Sequence, residues 1–395
     1  MARILMCWEL GGDPGHVARM KPLAEALHER GHRVSFVVRE PLSADRLLDP
    51  ARFPWFQAPY QSAGVPSPLP TRSFASVLHN TGFHSEPALL GRLHAWRNLY
   101  TRLEADLLVF DHSPTAPLAA RGLKTRRVVM GTGFGIPPDV SPLPPFDAAD
   151  QSPEIAATER RVLGTANAAL QALGQSPVAR LAEIYSAQAQ VFFTFQELDH
   201  YGAREGAEYW GITQQDAGIP TAWPGGPGKR VFAYLKPFKT LPDLLNTLQE
   251  SGQPTLIYLS EGTEQARRQF RGGNLAFAAR PVDLNVAFAK ADLVVCHAGH
   301  GTVSAALLKG KPLLLLPLNM EQRMLAARVV EMGAGMAAPA LAPEGMRQKF
   351  QRLLAEPTFS EAAKGFAERH ADFDVKGVPT RFVTLVERLL ASEAT

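Results

Sequence analysis

Cysteine is scarce: Cys7 and Cys296 are the only two in 395 residues. That scarcity excludes a disulfide framework and a cysteine-held zinc site, and it suits a reducing cytoplasm. Long apolar runs are missing too, since none approaches the ~18 residues a membrane span needs. Residues 1–7 pass straight into a strand pattern without the layout of a signal peptide. Net charge is small: 41 Lys and Arg against 38 Asp and Glu leave +3. This gives no reason to expect nucleic acid and allows only weak attraction to phosphates or an anionic membrane surface. Neither G-x-S-x-G nor G-x-x-x-x-G-K-[ST] occurs, which removes the usual signals for a hydrolase elbow and a P-loop. His297 and His300 have no carboxylate or cysteine at ligand spacing, and Asp372-Phe-Asp374 follows no strand, so no metal site is expected.

With 46% hydrophobic residues the chain can bury large cores, and 395 residues exceed what one core usually holds, so two domains are expected. The clearest stretch runs from 292 to 322. Residues 292–296 and 313–316 are continuous apolar runs, as in parallel strands buried on both faces. Between them 302–309 has helix composition and is closed by Gly310. The turn 297–301 thus ends a strand and opens a helix, where Gly299 and Gly301 admit a ligand close to the backbone. Free N–H groups and the helix dipole at such a turn favour a phosphate. Thr302 adds a hydroxyl.

At the other end, 3–8 reads as a strand, 9–16 as a glycine loop, 17–30 as a helix and 33–38 as a second strand, a βαβ unit. Gly11, Gly12 and Gly15 lack the G-x-G-x-x-G spacing of a dinucleotide site, although Glu40 stands where its acid would. His16 sits at the strand-to-helix turn, where an imidazole titrating near neutral pH suits a general base. A later strand, 105–111, ends in Asp111. His112 is its rival and ranks lower, because successive strand side chains point to opposite faces.

Residues 50–87 lose periodicity and collect Phe53, Trp55, Phe56, Tyr60, Phe74 and Phe83. They read either as a binding loop or as satellite core. Residues 89–103 form a helix whose Arg92, Arg97 and Arg102 read as a solvated face. Strand 126–130 leads through Gly131-Thr-Gly-Phe134-Gly into a proline-rich loop. Residues 152–190 read as helical and 191–195 as a strand. Strands at 231–235, 255–259 and 275–277 follow, with a turn beginning at Ser260.

These motifs resemble the signature of the UDP-glycosyltransferase superfamily, inverting enzymes of GT-B architecture of the bacterial secondary-metabolite and cell-wall type. The match is carried by His297, Gly299, Thr302, Gly310, Pro312, Pro317, Glu321 and Gln322, eight positions in one register over 26 residues, and by Gly15-His16 before a helix. The family's usual Pro three residues after that His is Arg19 here. Its ribose-binding Glu is replaced by Ala305, which leaves the nucleotide open.

The resemblance implies an α/β fold of two Rossmann-like domains facing across a cleft: 1–212 for the acceptor, a linker at 213–228, and 229–374 for the nucleotide sugar, with 375–395 packing back on the first. It implies His16 as base oriented by Asp111. His297, Gly299, Gly301 and Thr302 would hold the diphosphate, Lys236 would add positive charge, the backbone at Val282 would meet the nucleobase, and Glu321 with Gln322 the sugar. Gly12, Phe83 and Phe134 would border the acceptor. The implied activity is inverting, metal-independent transfer of a sugar, from UDP- or dTDP-sugar as co-substrate with no other cofactor, to a hydroxyl of a small, lipophilic or lipid-like acceptor. The expected setting is the bacterial cytoplasm, with no nucleic-acid partner. An epimerase of the same fold and a non-catalytic transferase helper are the alternatives.

Overall fold

Short apolar runs alternating with helices build parallel sheets covered on both faces. The computed structural model describes residues 1–12, 14–61, 64–213, 218–219, 222–260, 264–270, 272–338 and 343–392. It divides into two compact units: Met1–Gln196, Ala203–Gln214 and Asp374–Thr395 form the first, and Glu197–Gly202 with Gln215–Phe373 the second. Residues 214–217 and 220–221 of the expected linker, and 261–262 of the turn after Ser260, lie outside the described residues.

The first unit contains strands β1 (Arg3–Trp8), β2 (Arg33–Val38), β3 (Trp55–Gln57), β4 (Leu107–Asp111), β5 (Arg126–Gly131) and β6 (Ala189–Phe192). They pair in parallel in the order β3-β2-β1-β4-β5-β6. The second has β7 (Val231–Leu235), β8 (Thr255–Leu259), β9 (Leu275–Ala278), β10 (Leu293–Cys296), β11 (Leu313–Leu315) and β12 (Gly335–Ala337), also all parallel, in the order β12-β11-β10-β7-β8-β9. Each is a Rossmann-like sheet in which the chain switches direction at its first strand, and such switch points gather loops at the strands' carboxyl ends. Cys7 and Cys296 are both buried in these sheets and free.

The helices that matter for function are α1 (Gly15–Glu29), α2 (Glu86–Leu103), α3 (His300–Leu308), α4 (Met320–Glu331) and α5 (Val378–Ala391). Helix α5, the chain's last, packs against α1 in the first unit. There Glu387 pairs with Arg30, and Arg381 lies 4.1 Å over the Trp210 ring.

Several local expectations change. The region 152–190 is α-helical over Glu154–Ala172, ends where Gly174 takes φ +68° and the chain meets Pro177, and resumes only as a short 3-10 helix at Leu181–Tyr185. The strand read at 191–195 is β6, whose hydrogen-bonded register with β5 runs from Ala189 to Phe192. The aperiodic stretch holds β3, a short helix Phe74–Leu78 and a wide turn His79–Phe83. Its Phe53, Phe74 and Phe83 are core side chains, whereas Phe56 stays 38% exposed.

The solvated arginine face of α2 holds for the exposed Arg102 and is corrected for Arg92 and Arg97. Arg92 is buried, donates to Thr81 O at 2.9 Å and Gly82 O at 2.8 Å, and lies 3.7 Å from Glu9 Oε1. Arg97 donates to Ala119 O and Arg121 O, satisfying carbonyls where a short helix ends. Glu9 is fully buried just past β1 and accepts from Thr115 N at 2.9 Å. Burial pushes its carboxyl up and Arg92 pulls it down. Removing one member of a buried pair strands the other charge. Arg92→Met is therefore expected to cost about 3–5 kcal/mol in chemical denaturation, with part recovered in the Glu9→Gln, Arg92→Met double variant.

Candidate functional site

Register places the first cluster. Strand β1 pairs with β4 so that Trp8 lies opposite Asp111. The loop leaving β1 and the acid ending β4 therefore share one sheet edge. Helix α1 starts without a side-chain cap and carries His16 in its first turn. His16 Nδ1 donates to Asp111 Oδ2 at 3.1 Å, a carboxylate partner that fixes the tautomer and leaves Nε2 as the proton acceptor. Asp111 is 1% exposed and the His16 side chain 14%. Gly11 adopts φ +86°, and a Cβ there would stand 2.8 Å from His16 Nε2, so the loop's close pass over the imidazole requires glycine. Gly12 is exposed and faces open space.

Two further groups join this cluster. Arg19, noted in the sequence only as a replacement for proline, donates through Nη1 to Asp111 Oδ1 at 3.0 Å and Oδ2 at 3.2 Å. Its position three after His16 puts both on one helix face, a spacing visible in the sequence. Burial pushes the Asp111 carboxyl up, but Arg19 and then His16 outweigh it and hold the group below the usual carboxylate value.

His112 corrects the argument from strand alternation. It has φ +46°, so the chain has already left the strand, and its ring stacks on His16 at 5.7 Å with an 8° interplanar angle. Burial, then the neighbouring His16, push it down to about 3, so it stays neutral. Trp8 stacks on His16 at 5.1 Å.

Of the two aromatics expected to border an acceptor, Phe134 is 6% exposed and packs 6.0 Å from His112, 5.7 Å from Phe74 and 5.3 Å from Phe146. Phe83 is a correction: it is wholly buried beside Arg92 and borders no open surface. Its alternation with polar neighbours could not reveal that the stretch folds inward.

The second cluster lies in the other unit, where β10 runs between β7 and β11 and their ends meet. His297 Nδ1 donates to Leu316 O at 2.8 Å, and its Nε2 lies 3.3 Å from Lys236 O. Phe238 packs edge-on against the ring at 5.2 Å. The imidazole thus joins the turn after β10 to the end of β11. Ala298, not a glycine, takes the left-handed conformation at φ +58°, at a cost of about 1–2 kcal/mol. Sequence reasoning missed it because only glycine announces such a position.

Gly299 then caps α3 with φ −67°, and a Cβ built there would meet nothing within 4 Å. The first N–H groups of α3, at His300, Gly301 and Thr302, have no intrahelical acceptor. Lys236 directly follows β7. Glu321 and Gln322 lie in the first turn of α4, and Gln322 Oε1 accepts from Leu318 N at 2.7 Å. Val282 is buried, and its flanking peptides pair with Ile219: Ile219 N donates to Pro281 O and Asp283 N to Ile219 O. Among the described residues no three His, Cys, Asp or Glu side chains are placed to hold a metal ion, and no helix is long and apolar enough to cross a membrane.

Residues 263–389 match the model of the erythromycin biosynthesis protein CIII-like C-terminal domain. The UDP-N-acetylglucosamine--N-acetylmuramyl-(pentapeptide) pyrophosphoryl-undecaprenol N-acetylglucosamine transferase of Mycobacterium tuberculosis is 36% identical over 123 residues, 30% of this chain and 30% of that protein. The match thus spans under a third of that relative's length. The protein of the same name from Streptomyces collinus is 26% identical over 388 residues, 92% of this chain and 94% of its own. The structure of glycosyltransferase VinC in complex with dTDP superposes with a TM-score of 0.69 at 19% identity, over 98% of this chain and 100% of that one. Two parallel Rossmann-like sheets and the superposition on VinC over nearly the whole chain show the GT-B fold of two Rossmann-like domains, and residues 263–389 are similar to the erythromycin biosynthesis protein CIII-like C-terminal domain.

Proposed function

We propose that this protein is an inverting, metal-independent glycosyltransferase that moves a sugar from a nucleoside diphosphate to a hydroxyl of a small, lipophilic acceptor. The observation that carries the reading is the buried pairing of His16 with Asp111 at a sheet edge, with Nε2 left to take a proton. In the proposed step the acceptor oxygen attacks the anomeric carbon as its proton passes to His16 Nε2. The bond from that carbon to the diphosphate oxygen breaks on the opposite face, which inverts the centre. Asp111 keeps the imidazole in the productive tautomer and stabilises its protonated form.

The second unit is assigned the leaving group. The N–H groups opening α3, with Thr302 and Lys236, meet the diphosphate charge as it develops. His297, hydrogen-bonded through Nδ1 to Leu316 O, holds the turn in shape. Gly301 lets the diphosphate approach the backbone, Glu321 and the Gln322 amide take sugar hydroxyls, and the backbone at Val282 takes the nucleobase. Gly12 and Phe134 remain acceptor-side residues. VinC's dTDP complex favours UDP or dTDP as the nucleotide, although Ala305 offers the ribose no carboxylate.

The test is calorimetric titration with UDP and dTDP, with magnesium and with a chelator, beside Gly299→Ala. The fold accommodates that methyl group, since it meets nothing and φ is ordinary. A phosphate at the turn does not. The variant is expected to keep its melting temperature and lose at least about tenfold in affinity, roughly the 1.4 kcal/mol of one misplaced contact. Equal affinity in both proteins would remove the phosphate assignment; dependence on magnesium would remove metal independence.

A further inference from the structure

We propose that Arg19 is a positioning residue that sets the basicity of His16 by taking part of the Asp111 charge. A carboxylate facing only an imidazole lends it a full negative charge, and protonating that imidazole then leaves a neutral pair. Here the same carboxylate already has a guanidinium bound across both oxygens, at 3.0 and 3.2 Å, while His16 has a single oxygen at 3.1 Å. Protonation of His16 would therefore leave one net positive charge in a pocket where Asp111 is 1% exposed and Arg19 17%. The imidazolium is less favoured than in an isolated dyad.

The other groups around His16 do not cancel this. His112, which follows β4 and stacks on His16, is neutral. Arg39, from the end of β2, adds further positive charge, with its Nη1 on Glu9 O. Glu9, at the end of β1, is committed to Thr115 and paired with Arg92. The Asp111 carboxylate thus holds one negative charge shared between two partners. The pairing also locks the carboxylate plane, since a bound guanidinium prevents Asp111 from rotating away from Nδ1.

The kinetic half of this inference rests on the transferase reading, but its primary test does not. In protein labelled with nitrogen-15 at histidine, the His16 signals are assigned by their loss in His16→Gln and followed with pH. In Arg19→Met the His16 titration midpoint is expected to move up by about one pH unit, with Arg19→Lys returning it towards the parent. Arg19→Gln serves if the Met variant does not fold. The acid limb of kcat/KM should move in the same direction, because the base is then protonated over a wider range. A midpoint that stays put in Arg19→Met or Arg19→Gln, with only the melting temperature lowered, would mean that Arg19 is merely structural and would overturn the proposal. A moved midpoint in a protein that transfers no sugar to any acceptor would leave the tuning standing and sink the transferase reading instead.

Discussion

His16→Ala should lower kcat for sugar transfer by about 10²–10⁴-fold, the usual worth of a positioned general base, while leaving nucleotide affinity unchanged. The two effects separate because His16 lies in the first unit, whereas the turn to which we assign the diphosphate is built wholly from residues of the second. The loss should fall in kcat rather than in KM for the donor, since the base acts as the acceptor proton moves. His16→Gln is the stricter form: it keeps volume against Trp8 and His112 but offers no titrating nitrogen. Steady-state kinetics with any accepted hydroxyl compound decides the matter. Transfer at the parent rate in either variant would exclude the assigned mechanism.

Asp111 should show two losses together. Asp111→Asn keeps the shape but not the charge. It invites the imidazole to present the wrong tautomer, so transfer should fall on the order of 10³-fold. Stability should fall as well, because Arg19 and its 17%-exposed side chain lose their counter-ion in a closed site. Asp111→Ala, which removes both oxygens, is expected to destabilise by about 3–5 kcal/mol.

The pH dependence has a definite sign. The folded carboxyl sits below its ordinary value. Its contribution is therefore fully present above the unfolded value of about 3.9 and disappears as pH falls through the depressed folded value. The gap in melting temperature between parent and Asp111→Asn should narrow steadily below about pH 4. A gap that widened on acidification would show that the carboxyl is not held ionised by Arg19.

Much of this was legible in the sequence, and the reasons are local. Strands such as 231–235 and 255–259 are short apolar runs between breakers, a pattern that few other structures satisfy. The turn at His297 was legible because eight residue types had to fall in one register, and Gly15-His16 before a helix marked the other end. The aromatic loop was not legible, because burial of Phe74 and Phe83 depends on what covers them. Arg92 looked like any helical surface arginine until Glu9, 83 positions earlier, came to face it.

By itself, then, the sequence determined the two sheets, the strand-to-helix turns and the residue types placed on them, since these follow from periodicity and backbone preference over a few residues. Tertiary structure alone decided which charges meet. The pairing of β1 with β4 brought Arg19 and His112 onto the His16 and Asp111 pair, although more than ninety positions separate the two segments. The return of Glu197–Gly202 to the second unit set His200 6.1 Å from His300 at the head of α3. Such contacts are fixed by sheet order and by a single positive φ at the end of a strand, and neither leaves a trace in the spacing of residues along the chain.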